Sequence, residues 1–271
     1  MGGNYMKEKE FKGHPLKLKS LVNVRDYGGY QTKSGTILPK KVLRGAELYG
    51  LDSGDQDILM KEYQLKQVID FRTTVEDQAR PDPKLPNVQN HFINILGDDS
   101  PVSADPAEIM KEMSQTGAEP ESYLLEIYRD FVTSSHAHQG YQQFFNLLLQ
   151  EKKGATYFHC TAGKDRTGFG GALFLSALDA DNDLIMADFL LSNTYRKAYN
   201  QQVLAQLKSA NAPIQQINMA KVALEVRPEY LEASYQTMLK EFGSADNYLK
   251  EALDLTDDKR ELLKELYLTN R

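Results

Sequence analysis

This chain has a single thiol. Cys160 is the one cysteine among 271 residues, which excludes an intramolecular disulfide and any metal site built from several cysteines. Also missing is an apolar run of the ~18 residues that a membrane-crossing helix needs, so no integral membrane segment is expected. The first residues, "MGGNYMKEKEFKGH", lack the apolar centre of a signal peptide, and Met6 stands where N-myristoylation requires Ser or Thr. A cytoplasmic location fits, as does an exported one if a leader has been removed. Internal repeats and low-complexity tracts are absent, which predicts one domain over 1–271 with a flexible start at 1–16. Excess positive charge is absent as well. A net charge of −6 argues against general nucleic-acid binding, so an anionic ligand must be attracted locally. Oligomeric state is not legible.

The segments that are present alternate in type. "LVNVRDYGGY" (21–30), "KKVLRGAEL" (40–48), "LKQVIDFR" (65–72), "NVQNHFINI" (87–95) and "GATYF" (154–158) read as strands. Helices are expected at 52–63, with Asp52 or Ser53 as N-cap, and at 105–114, 120–134, 138–150 and 167–178. From 182 to the end the pattern is helical, with Gly243 a C-cap. This order predicts an α/β fold, a mostly parallel central sheet flanked by helices. Segment 97–122 is longer than an ordinary connection, and Ile109, Met110 and Met113 give it one apolar stripe, so it is expected to be a lid.

Cys160 falls between the strand at 154–158 and the helix at 167–178, in "HCTAGKDRTG" (159–168). Open α/β sheets bind ligands at such a strand-to-helix turn. Free backbone N–H groups and the positive end of the helix dipole converge there, which favours both a bound anion and a thiolate. Arg166 lies five residues beyond the cysteine. A loop of that length can curl around a tetrahedral dianion, with N–H groups of Thr161, Ala162, Gly163, Lys164, Asp165 and Arg166 around it and a planar guanidinium gripping two oxygens. The thiolate would attack phosphorus, and the Thr167 hydroxyl would help the sulfur leave afterwards. "AGKDRT" is not a nucleotide-binding loop: Phe158 stands where the first glycine belongs, and Asp165 follows the lysine.

These residues resemble the cysteine-dependent tyrosine and dual-specificity phosphatases, with their H-C-x5-R-[ST] signature. More narrowly, "HCTAGKDRTG" resembles the bacterial atypical tyrosine phosphatases that also act on phosphoinositides, including exported mycobacterial and listerial enzymes. "NVRDYGG", "LRGAEL", "VIDFRTTVED", "DFLLSNTYR" and "VRPEYLEASY" look like further blocks of that family. The resemblance implies a phosphatase fold, phosphorylated proteins or phosphoinositides as substrates, and no cofactor. Non-catalytic phospholigand binding and sulfur transfer are the alternatives.

A leaving alkoxide or phenolate needs a proton donor. Upstream candidates are Asp82, Asp98, Asp99, Asp105 and Asp130. Asp82 reads equally as a turn former, Asp105 as an N-cap and Asp130 as helix surface. Asp165 lies inside the loop, where repulsion from a bound dianion favours the protonated form. The resemblance implies the same role for it. Capping the helix or orienting Arg166 is the alternative. Lys164, disfavoured at a helix N-terminus, suggests an anion beside it. His159 is expected to brace the loop. Asn23, Arg25 and Asp26 could form a supporting loop or merely a turn and a buried Arg/Asp pair, and Asp70 with Arg72 could support the loop from behind. His136 and His138 do not share a helix face, so no metal site is read.

Overall fold

The computed structural model describes residues 13–97, 119–150 and 153–269. Of the expected lid over 97–122, residues 98–118 lie outside the described residues, and with them the candidates Asp98, Asp99 and Asp105, as does the start of the chain to residue 12.

A six-stranded sheet organises the molecule, in the order β1-β2-β5-β8-β6-β7. Its strands are β1 (His14–Pro15), β2 (Arg25–Asp26), β5 (Val42–Gly45), β6 (Gln67–Asp70), β7 (Gln89–Phe92) and β8 (Thr156–His159). Strands β5, β8, β6 and β7 run parallel, while β1 and β2 add an antiparallel edge. A separate hairpin pairs β3 (Gln31–Thr32) with β4 (Gly35–Thr36). The 21–30 segment is therefore strand over only two residues, because Gly28 and Gly29 turn the chain and the Asp26 carboxylate accepts from Gly28 N.

Helices α1 (Ser53–Asp57) and α2 (Thr74–Ala79) follow β5 and β6. The 52–63 helix is capped by Asp52, then widens into a π turn at Ile58–Glu62. Helix α2 was not anticipated. Its Thr73 hydroxyl accepts from Glu76 N, and Glu76 reaches back to Thr73 N, a reciprocal cap that starts even a six-residue helix. Then come α3 (Pro120–Thr133) and α4 (Ser135–Leu148), the strand β8, and α5 (Arg166–Ala177). Helices α6 (Asn182–Ser209), α7 (Ile214–Leu224), α8 (Pro228–Phe242), α9 (Ala245–Glu251) and α10 (Asp257–Tyr267) complete the chain, with Gly243 closing α8 in the left-handed conformation.

Both sheet faces are apolar, as a parallel sheet requires. Alternation sends Val42, Ile69 and Phe158 to the large helical core and Leu43, Val68 and Tyr157 to a smaller core with Leu59 and Leu65. In register, Gly45, His159 and Asp70 lie side by side at the carboxyl ends of β5, β8 and β6. Cys160 emerges from that edge. Among the described residues no helix is long and apolar enough to cross a membrane.

Candidate active site

Four consecutive carbonyls after β8 point away from the interior of the loop. The Cys160 carbonyl lies 3.2 Å from His159 Nδ1, and that of Thr161 accepts from Glu47 N at 3.3 Å. Ala162 O accepts from Asn23 Nδ2 (3.3 Å) and Arg196 Nη1 (3.0 Å); Gly163 O accepts from Asn23 Nδ2 (2.9 Å) and Arg44 Nη2 (3.0 Å). In a trans peptide the N–H opposes the C=O. Holding these carbonyls outward therefore turns the N–H groups of Thr161, Ala162, Gly163 and Lys164 inward, toward the mouth of α5. The result is a nest of donors at a helix N-terminus, suited to an anion.

The outer belt depends on buried charge. Asp188, on α6, joins Arg25 Nε at 2.8 Å and Arg44 Nη1 at 2.7 Å, and accepts from the Tyr30 hydroxyl at 3.0 Å. Burial opposes ionisation of Asp188, but Arg25 and Arg44 hold its carboxyl below the usual range. Arg25 thus pairs with Asp188 rather than with Asp26, whose carboxylate holds the turn through Gly28 N and Lys40 N. Asn23, with φ of 63°, adopts a left-handed conformation that Asn tolerates, and its Oδ1 accepts from Arg25 Nη1.

Arg166 is fully buried. Its Nη1 and Nη2 donate to Glu76 Oε2 and Oε1 at 2.6 and 2.7 Å, and Nη1 also reaches Phe71 O at 3.3 Å. Nε has no partner. Of five guanidinium hydrogens, the two left over are those on Nε and the adjacent side of Nη2, the edge that grips two oxygens of one anion. Glu76 also accepts from Thr161 Oγ1 at 2.5 Å. Burial disfavours its charge, yet Arg166 holds it well below the ordinary carboxylate range.

Asp165 is buried and caps nothing with its side chain. The Tyr128 hydroxyl donates to its Oδ1 at 2.9 Å, and Oδ2 lies 2.7 Å from Lys164 Nζ without a directed hydrogen bond. Lys164, itself buried, also approaches Glu225 O at 3.5 Å. The Thr167 hydroxyl is buried without a partner among the described residues. Cys160 and Ala162 are likewise almost wholly covered.

Behind the loop, Arg72 is a hub: it contacts Asp70 at 2.7 Å and Glu47, Asp77 and Asp82 at 3.1 Å. His159 Nε2 lies 2.8 Å from Asp82 and Nδ1 lies 3.8 Å from Asp70. Burial alone would favour the neutral ring, but the two carboxylates reverse this and raise its pKa to about 9. Asp70, Asp82 and His159 stand close enough to hold a metal ion. A protonated His159 and the Arg72 guanidinium already neutralise those carboxylates, so the donor set suits an ion-pair network better than a cation. Asp82, its carboxyl lowered by His159 and Arg72 despite burial, is poorly placed to hold a proton at pH 7.

The structure brings together Cys160 to Thr167, His159, Asp70, Arg72, Asn23 and Arg25; Asp26 serves the turn. Sequence reasoning missed Glu76, Arg44, Asp188, Arg196 and Tyr128. A cleft of about 550 Å³ opens over Thr161 and Ala162, with Tyr49, Val75, Tyr199 and Val203 in its walls.

The profile of the tyrosine phosphatase family matches residues 16–269. A protein of Cupriavidus necator described as a tyrosine-protein phosphatase is 30% identical over 245 residues, covering 89% of this chain and 85% of its own length. Triple specificity protein phosphatase PtpB of Mycobacterium tuberculosis is 29% identical over 262 residues, covering 87% of this chain and 93% of its own.

Proposed function

This chain belongs to the tyrosine phosphatase family and is a protein-tyrosine phosphatase, and we propose that it cleaves phosphate monoesters through a phosphocysteine intermediate, with Asp165 as proton donor. The observation that carries this reading is the pairing of an inward-facing amide nest with the two spare hydrogens of Arg166, directly after Cys160.

The substrate dianion sits in the nest with two oxygens on the Nε edge of Arg166. Cys160 Sγ attacks phosphorus, the S–P bond forms, and the bond to the ester oxygen breaks. The electron pair stays on that oxygen, which takes a proton from Asp165. Water then attacks phosphorus and returns a proton to the Asp165 carboxylate, and sulfur leaves as thiolate beside the unpartnered Thr167 hydroxyl. Phosphate departs and the starting state is restored.

We further propose phosphotyrosine, phosphoserine/threonine and phosphoinositide monoesters as substrates. The apolar walls of the cleft support an aryl leaving group, and the buried Lys164 adds a cation that a substrate with further phosphates would use. The triple specificity in the mycobacterial relative's name supports the wide range.

The test is acid-quenched phosphoenzyme together with phosphate release from an aryl phosphate, compared with sulfide transfer from thiosulfate. Wild type should give a phosphoenzyme burst that Cys160→Ser abolishes while still binding vanadate. Comparable turnover by Cys160→Ser, or turnover of thiosulfate instead, removes the mechanism. A panel of phosphopeptides and phosphoinositides ranked by kcat/KM decides the substrate range.

A further inference from the structure

We infer that Tyr128 is the positioning residue of the proton donor: its buried hydroxyl fixes Asp165 Oδ1 and so assigns Oδ2 as the oxygen that carries the proton to the leaving group. The inference rests on the reading of Asp165 as donor given above.

Asp165 occupies the N-cap position of α5, where an Asp side chain ordinarily bonds the first turn, yet it makes no such bond. Among the described residues, the one directed hydrogen bond to its carboxylate comes from Tyr128, 37 residues earlier on α3. That tyrosine cannot swing. Its ring packs against Phe131 at 5.2 Å, Tyr230 at 5.6 Å and Phe189 at 5.9 Å, and its backbone carbonyl accepts from Ser234 Oγ at 2.6 Å. Burial and the neighbouring Asp165 raise the phenol well above its ordinary range, so it stays a donor.

Lys164 cannot serve in the same way. Its contact with Oδ2 lacks hydrogen-bond direction, and a dianion in the nest attracts the ammonium toward itself. Oδ2 is then open to carry a proton, while Oδ1 remains held by a neutral hydroxyl. Among the described residues, the other groups facing Asp165 are Arg166 beside it, Tyr141 on α4 and Tyr230 on α8. Tyr141 spends its hydroxyl on Arg166 O at 2.9 Å, and the Tyr230 hydroxyl has no partner among the described residues, so neither holds the carboxylate in its place.

A donor to a carboxylate stabilises its charged form. Removing it frees the carboxylate to turn away from the leaving group, which slows the reaction most where the leaving group needs protonation. The experiment is Tyr128→Phe in the full chain, assayed from pH 5 to 9 on phenyl phosphate and on p-nitrophenyl phosphate, beside Asp165→Asn. We expect about a tenfold loss on the poorer leaving group and under about threefold on the better one. In an Asp165→Asn background, Tyr128→Phe should add nothing.

Equal losses on both esters, or additive losses in the double variant, would overturn the inference. If Asp165→Asn itself slows both esters equally, the donor assignment fails, which is a different result and takes the inference with it. Should the Phe variant not fold, 3-fluorotyrosine placed at position 128 keeps the shape and strengthens the donor. It should change the rate on phenyl phosphate at least about threefold more than that on p-nitrophenyl phosphate, and equal effects on the two esters overturn the inference.

Discussion

Glu76 grips Arg166 from the end, carboxylate to guanidinium at 2.6 and 2.7 Å, and thereby leaves the Nε edge of the guanidinium without a partner among the described residues. An arginine held at one edge is aimed at the other. Glu76→Gln keeps the shape but loses the charge and one acceptor. We expect kcat/KM for an aryl phosphate to fall about tenfold to a hundredfold and inhibition by inorganic phosphate to weaken in parallel. Glu76→Ala should also lower stability by about 3–5 kcal/mol, because it strands a buried cation. Urea titration with steady-state kinetics separates the two effects; unchanged phosphate inhibition in Glu76→Gln would count against the aiming role.

Gly163 has φ of 66°, and a Cβ there would stand 2.2 Å from the Gly45 carbonyl oxygen. That atom is backbone at the end of a central strand, so it cannot yield. Gly163→Ala should abolish vanadate binding, measured by calorimetry, while far-UV circular dichroism stays close to wild type.

Asp188 neutralises Arg25 and Arg44 together in a dry interior. Asp188→Asn should cost about 3–5 kcal/mol in urea unfolding, since two guanidinium groups lose their counter-ion. Arg44 also holds Gly163 O, so the surviving folded protein should bind phosphate more weakly.

His159 carries a folded-state pKa of about 9, above its unfolded value of ~6.5. The stability from its charge is complete below about pH 6.5 and is lost as the pH rises through about 9. Unfolding free energy should fall across that interval, by on the order of 3 kcal/mol. His159→Gln should flatten the slope, as denaturant titrations at pH 6, 7.5 and 9 would reveal.

Local chemistry made the loop legible before any coordinates. Cysteine, spacing and arginine are contiguous, and their strand-to-helix setting follows from apolar runs on either side. Glu76 escaped because its reciprocal cap, Thr73 to Glu76, is a short-range signal that says nothing about what lies opposite the carboxylate. Arg44 within "VLRG" and Asp188 within "IMADFLL" did leave a trace: a charge inside an apolar segment must find a partner. Which partner it finds depends on how β5 and α6 meet, 144 residues apart, and no local pattern carries that. Tyr128 gave no trace, since a buried helical tyrosine reads as core.

The belt that turns the loop carbonyls outward draws on Asn23, Arg44, Glu47 and Arg196, contributed by segments from both halves of the chain. No fragment shorter than residues 23–196 contains it. Catalysis should therefore appear only when the last of these segments docks, so that recovery of activity during refolding lags behind recovery of helix. A nascent chain would carry Cys160 as an ordinary thiol until synthesis has passed Arg196, which keeps an indiscriminate nucleophile from existing before its cradle does.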